Sequence, residues 1–183
     1  MTSLARPTSA TLPCDDLPTY VQLADGANVL IRAATPADQE QLRAMFYRLS
    51  AESAYFWAFV PAAGRPRWAE ILASLAIAEF PGQCALVACV EGETVGIARY
   101  DRAADSQEAE LGIIIEDRWQ SRGLGRLLAR QLASIATCQG IPVFNARVLG
   151  ENRRCWRMLG AVFAQITVQW YSGEAVARLE GLR

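Results

Sequence analysis

The sequence predicts an α/β (α+β) fold in which helices pack on a mixed sheet. Three observations point there: the order of the strand- and helix-forming segments, a strand–glycine loop–helix junction over residues 110–128, and a composition suited to one packed core. The segments run β-α-α-β-β-β-α-β-α-β-β without an internal repeat. The chain has 183 residues, 52% hydrophobic and 20% charged, which suits one globular domain. Residues 1–18 are rich in Pro, Ser and Thr and lack a hydrophobic segment. They read as a flexible N-terminal tail, leaving 19–183 as the domain.

Residues 20–23 and 28–32 flank Ala24-Asp25-Gly26-Ala27 and read as a hairpin. Thr35-Pro36 opens a helix, with Thr35 as N-cap, Pro36 in the first turn, and Asp38 and Glu40 near the positive end of the dipole. Leu42, Met45, Phe46 and Leu49 form its apolar stripe. A second helix is expected over about 68–78. Residues 85–90 and 94–100 read as antiparallel strands around Glu91-Gly92-Glu93, followed by a strand over 108–115. The next helix carries Leu124, Leu127, Leu128, Leu132 and Ile135 on one face. It stops at Gly140, with Pro142 just beyond. A strand over 143–149, a short helix over 152–159, and strands over 162–171 and 175–179 complete the order.

The junction carries the chemistry. Glu110 heads a β-branched strand, Glu110-Leu-Gly-Ile-Ile-Ile115, and Gln120-Ser-Arg-Gly-Leu-Gly125 leads from it into a helix. Unpaired amides converge at such a helix start and the dipole favours negative charge, which suits an anionic ligand. The plainer alternative is an ordinary strand-to-helix turn. A Walker A loop is excluded, because Arg126-Leu127 follows the last glycine and the chain contains no lysine. A dinucleotide fingerprint is excluded because Leu128 stands where a third glycine or alanine belongs. Residues 1–117 carry eight arginines and sixteen acids, a net −8, whereas 118–157 carry eight arginines against Glu151, a net +7. A basic block around the loop suits a ligand of nucleotide size. Nucleic acid fits poorly, since no binding motif is present and the acidic half would repel it. No apolar run reaches the ~20 residues of a membrane span, so no membrane partner is expected. Five cysteines without a CxxC pair read as reduced thiols of a cytoplasmic protein.

These residues resemble the Q/R-x-x-G-x-G/A loop of the GNAT superfamily of acyl-CoA-dependent N-acyltransferases, with Gln120, Gly123 and Gly125 matching in place. Four blocks in order, DGANVLIRAATPAD, LSAESAY, AELGIIIEDRWQSRGLG and VLGENRRCWRMLG, are similar to the acetyltransferase domain of bacterial protein-lysine acetyltransferases. The resemblance implies a mixed central sheet of about seven strands flanked by four helices and splayed at the acyl-CoA site. It implies acetyl-CoA as cosubstrate and no metal. It assigns the pyrophosphate to Gln120, Ser121, Arg122, Gly123, Leu124, Gly125 and Arg126, and the pantetheine arm and thioester to Ile113, Ile114 and Ile115. A backbone N–H near Ile113 would polarise the thioester carbonyl. Asn152 matches a coenzyme A-contacting asparagine and equally suits a plain helix N-cap.

The acceptor is expected to be an amine, either a protein lysine or a small molecule, and the protein a monomer or homodimer. An ammonium with a pKa of about 10.4 must lose a proton before it attacks a thioester. The chain has no histidine, and Glu110 matches the family's catalytic glutamate. An apolar strand setting would raise such a carboxyl towards neutrality. A surface carboxylate paired with an arginine is the plainer reading of Glu110. Glu116 and Asp117 read as turn and helix-entry residues.

Three departures qualify the resemblance. Trp156 replaces a tyrosine that protonates the departing thiolate in many relatives, which leaves a non-catalytic coenzyme A-binding sensor as the alternative class. Ser121 replaces a frequent glycine. Trp57-Ala58 replaces the Arg-Phe pair usual in the lysine-acetylating relatives. Tyr55, Phe56, Trp57 and Phe59 stand where the acceptor normally enters, with core packing as their other reading.

Overall fold

A computed structural model describes residues 17–59, 70 and 82–183. Eight strands form one sheet in the order β1-β2-β3-β4-β5-β6-β8-β7. The strands are β1 (Thr19–Gln22), β2 (Asn28–Ala33), β3 (Gln83–Val90), β4 (Glu93–Arg102), β5 (Glu108–Ile115), β6 (Val143–Leu149), β7 (Phe163–Tyr171) and β8 (Glu174–Leu182). The predicted mixed sheet is present, and the N-terminal hairpin brings the strand count to eight. Four α-helices are described: α1 (Gln39–Arg48), α2 (Ala51–Ala58), α3 (Leu124–Cys138) and α4 (Arg153–Val162). Apart from Glu70, which is helical, the helix expected over 68–78 lies outside the described residues, as does nearly all of the expected tail. No helix among the described residues is long and apolar enough to cross a membrane.

Alternation along β4 and β5 builds a core on each face of the sheet. Leu42, Met45, Phe46 and Leu49 of α1 and its C-terminus pack with Val87, Ile97 and Ile114 on one face. Leu124, Leu128 and Leu132 of α3 pack with Val95, Leu111 and Ile115 on the other, joined by Leu159 and Val162 of α4. The entry to α1 is tighter than expected: Thr35 caps a 3₁₀ turn, Pro36–Asp38, from which α1 continues. Asp38 accepts from the Thr35 N–H at 2.8 Å and from Arg32 at 2.5 and 2.7 Å. The Arg32 contact, together with those of Thr35, holds the Asp38 carboxyl below its usual range against the opposing effect of burial.

Helix α2 is a departure from the expected order, which left 51–58 between two helices. Ser50 caps it by accepting from the Ser53 N–H at 3.1 Å. Its Ser-x-x pattern is too short to register as an apolar period. The reading of five reduced cysteines holds for Cys84, Cys89 and Cys155 and fails at Cys138, which is disulfide-bonded. Pairing depends on Cα proximity, which spacing along the chain does not reveal.

Candidate active site

Strands β5 and β6 are parallel neighbours for only three residues, Glu108–Glu110 against Val143–Asn145. Beyond that point β5 stays on β4 as far as Ile115, while β6 stays on β8 as far as Leu149. The sheet therefore splits into a V whose facing edges carry unpaired backbone. The register tells which groups face the gap. Glu116 donates its N–H to Val95 at 2.9 Å, so even-numbered residues of β5 point their backbone towards β4. Leu111, Ile113 and Ile115 point theirs into the split. The Ile113 N–H thus faces the open edge, whereas Ile114 spends its backbone on β4 and buries its side chain among α1 residues.

Two helices begin at the carboxyl ends of the splayed strands, the position where open α/β sheets bind ligands. Helix α3 follows β5 through the glycine loop, and α4 follows β6 through Gly150-Glu151. Gly123 precedes α3 at φ +91°, and a side chain there would meet nothing within 4 Å. Leu127 is the first residue of α3 to donate back, to Gly123 at 3.1 Å, and no side chain caps the helix start. The Leu124, Gly125 and Arg126 amides are consequently presented without an intrahelical partner. At α4 the Asn152 Oδ1 accepts from the Cys155 N–H at 3.0 Å. That makes Asn152 an N-cap at the cleft wall.

One cleft of about 1230 Å³ joins these parts. Of the residues singled out in the sequence, Glu110, Ile113, Ile114, Ile115, Gln120, Ser121, Arg122, Gly123, Gly125, Arg126 and Asn152 all line it. Leu124 does not; its side chain is fully buried in the core, and only its amide belongs to the helix start. The arginines Arg154 and Arg157 of α4 add positive charge to the same wall.

Gln120 holds the loop together. Its Nε2 donates to the Ile115 carbonyl and to Ser53 Oγ, each at 2.9 Å, and its Oε1 accepts from Arg154 at 2.7 Å. With both ends of the amide engaged, Gln120 positions the loop. Ser53 passes the connection on, donating to Asp117 Oδ1 at 2.8 Å. Asp117 also accepts from the Ser50 N–H at 2.8 Å and from Ser50 Oγ at 2.6 Å. Burial would raise the Asp117 carboxyl, but the hydroxyl and amide donors of Ser50 and Ser53 outweigh it and hold the carboxyl low. Asp117 is therefore more than a turn residue, since it fastens α2 to the loop. Neighbouring Glu116 is buried and paired with Arg48 at 2.8 Å and Arg118 at 2.6 Å.

On the α2 side of the split, Glu110 departs from the apolar setting expected for it. Its side chain is 54% exposed and forms an ion pair with Arg147 of β6 at 3.1 Å. Asp101 of β4 stands opposite Glu110, and Arg99, opposite Gly112, is paired with Asp101. Phe56, Trp57 and Phe59 of α2 and its C-cap complete this wall. Trp57 also packs on Phe46 with ring centroids 5.4 Å apart, so it serves both cleft and core. Tyr55 is exposed and absent from the lining. Trp156 stacks on Trp170 at 5.9 Å and donates its indole N–H to the Leu149 carbonyl at 3.2 Å. That ring braces α4 against β6.

Sequence reasoning missed Ser53, Arg99, Asp101, Arg147, Arg154 and Cys155 as cleft residues. The period-2 placement of Arg99 and Asp101 with Ile97 on one face of β4 was a usable signal. Ser53, Arg147 and Arg154 had none, because only the fold brings them to the loop and to Glu110.

Comparison with known proteins places these features in a family. The model of the acetyltransferase (GNAT) family matches residues 38–161. Among curated proteins, the L-amino acid N-acetyltransferase AaaT of Escherichia coli is 37% identical over 59 residues, 31% of this chain and 36% of that protein. Acetyltransferase PA5475 of Pseudomonas aeruginosa is 33% identical over 124 residues, 64% of each chain. The match spans less than two thirds of either relative. Among solved structures, the GNAT domain of S. lividans PAT superposes with a TM-score of 0.78 at 26% identity, covering 89% of this chain and 96% of that one. The PaiA N-acetyltransferase of Thermoplasma acidophilum, crystallised with coenzyme A, shares the fold at a TM-score of 0.65 and 14% identity, covering 84% and 99%. With a splayed sheet, an open helix N-terminus at Gly123 and a family model matched over most of its length, this chain belongs to the acetyltransferase (GNAT) family.

Proposed function

We propose that the protein is an acetyl-CoA-dependent N-acetyltransferase that transfers the acyl group directly to an amine, with Glu110 as proton acceptor. The observation that carries this reading is the single cleft uniting the split β5–β6 edge, the uncapped start of α3 and Glu110. The residues fit the cosubstrate: amides of the α3 start and arginines suit its phosphates, and the open edge of β5 around Ile113 suits an amide-bearing arm. Acetyl-CoA supplies the acyl group as a thioester. The chain orients it through Ile113 and Ile115, whose backbone groups face the split. The Ile113 N–H is the donor for the charge that develops on the carbonyl oxygen.

Glu110 takes a proton from the acceptor ammonium, directly or through one water. Solvent reprotonates the departing thiol, since the Trp156 indole is engaged with Leu149 and carries no acidic proton. Two acceptor classes have support: a protein lysine from the resemblance of the four sequence blocks to bacterial protein-lysine acetyltransferases, and a small amine from the likeness to an L-amino acid N-acetyltransferase.

The test is thiol release from acetyl-CoA across proteins and small amines. Glu110→Gln is expected to lower kcat/KM by roughly 10²–10⁴-fold while calorimetric affinity for coenzyme A stays near wild type. Full activity of that variant between about pH 6 and 9 would show that another group takes the proton. Saturable coenzyme A binding with no turnover on any amine would leave a sensor in place of an enzyme.

A further inference from the structure

The groups around Glu110 carry more information than a single base requires. Two ion pairs, Arg99–Asp101 and Arg147–Glu110, lie side by side on one face of β4, β5 and β6 inside the cleft, with Asp101 opposite Glu110. Arg99 is only 16% exposed, and among the described residues its ion-pair partner is Asp101 alone, which leaves most of its five donors open. The Arg99 stem and the Trp57 ring both border Gly112, where a Cβ would meet Arg99 Cγ at 3.6 Å and Trp57 Nε1 at 4.0 Å in ordinary contact. Phe59 ends α2 in the left-handed region at φ +56°, a conformation that bulky residues avoid. Its ring stands 5.9 Å from the Arg147 guanidinium. The left-handed backbone thus sits at an aromatic that borders Arg147 in the cleft wall.

We propose that this charge quartet reads a zwitterionic acceptor, an α-amino acid with an apolar side chain. The inference rests on the N-acetyltransferase reading above and names its acceptor class. The amine faces Glu110 and Asp101, the carboxylate is held by Arg99 and Arg147, and the side chain lies on Phe56, Trp57 and Phe59. Spacing supports this arrangement. Arg99 stands opposite Gly112 and is one side-chain step, about 7 Å along the strand, from the Glu110–Asp101 pair. An amine and a carboxylate on one carbon bridge that gap with a hydrogen bond at each end. The neutral stem of a protein lysine leaves Arg99 and Arg147 unanswered.

The pairing has a consequence for the proton transfer. While Arg147 is bound to Glu110, one of the two carboxylate oxygens is engaged. An incoming carboxylate competes for Arg147 and frees Glu110 for the ammonium. The acceptor then loses one proton to Glu110, its nitrogen lone pair forms the C–N bond, the C–S bond breaks with the electron pair leaving on sulfur, and the second nitrogen proton passes through solvent to the thiolate.

The experiment compares kcat/KM for the twenty α-amino acids, their carboxamides and an acetyl-capped lysine peptide, using the wild-type protein. Amidation makes an α-amine less basic, nearer the peptide-terminus value of about 8, so chemistry alone favours the carboxamide. The expected result is the reverse, with an apolar amino acid preferred over its carboxamide by roughly tenfold to a hundredfold. Arg99→Gln and Arg147→Gln should each bring that ratio close to one. A wild-type ratio near one, or preference for the lysine peptide, overturns the inference and leaves the N-acetyltransferase reading standing. Calorimetry in the presence of coenzyme A separates the remaining outcomes. An amino acid that binds without turnover supports the charge quartet and sinks the N-acetyltransferase reading, and neither binding nor turnover sinks both.

Discussion

Replacing Ser53 by alanine tests whether the loop and α2 are one mechanical unit. The Ser53 hydroxyl is buried and makes two hydrogen bonds, donating to Asp117 at 2.8 Å and accepting from Gln120 at 2.9 Å. The first is charge-assisted and is worth about 1.5–3 kcal/mol. The second leaves one Gln120 proton without its acceptor, at about 1 kcal/mol. Alanine returns about 0.5 kcal/mol through its helix propensity. The net expectation is a loss of about 2–3 kcal/mol, or a Tm lowered by roughly 5–10 °C for a chain of this size. Scanning calorimetry at neutral pH reads the shift, and titration with coenzyme A should show affinity reduced several-fold as the Gln120 amide loosens.

The pH dependence has a definite sign. The folded-state carboxyl of Asp117 lies below its ordinary value of 3.8, so its contribution is present above that pH and fades as pH falls below it. The gap between wild type and variant should therefore narrow on acidification. A Tm within about 1 °C of wild type at neutral pH, with unchanged coenzyme A affinity, would refute the reasoning.

The remaining expectations concern the loop and the alkaline limb. Ser121 holds φ +60° without being glycine, so Ser121→Gly should be neutral to stabilising by up to about 1 kcal/mol, the relieved strain being partly offset by unfolded-chain entropy. Gly123→Ala should destabilise by about 1–2 kcal/mol through backbone strain alone, since a Cβ there meets nothing. Gly123→Glu should in addition abolish coenzyme A binding by placing a carboxylate at the anion site; unchanged affinity by calorimetry would sink that assignment. Burial pushes the Cys155 thiol up to about 11 and the Tyr100 hydroxyl up to about 12. Both groups are neutral in the fold, so stability should hold to about pH 9 and decline above it as the unfolded state ionises first. Cys155→Ala should flatten the early part of that decline in denaturant titrations.

The strand–loop–helix junction was legible because its physics is local. Alternation over 108–115, a glycine able to hold φ +91° and an apolar stripe on the next helix are properties of adjacent residues. Helix α2 escaped notice because eight residues are too few for an apolar period, and its Ser50 cap draws further support from Asp117 across the chain. The setting of Glu110 was misjudged for the same kind of reason. The β-branched run around it suggests an apolar environment, yet its partner Arg147 arrives from β6, thirty-seven positions away.

Composition and element order by themselves determined the fold class, and the Gln120–Gly125 spacing with the three further sequence blocks carried the resemblance to the family. Each depends on near neighbours or on chain-wide averages. Tertiary structure alone decided that Gln120 ties Ile115, Ser53 and Arg154 together, that Asp117 and Ser53 lock α2 to the loop, and that Glu110 pairs with Arg147 beside the Arg99–Asp101 pair. These are contacts between side chains far apart in sequence. Their partners are selected by strand register and by the split between β5 and β6, neither of which any local pattern of residues encodes.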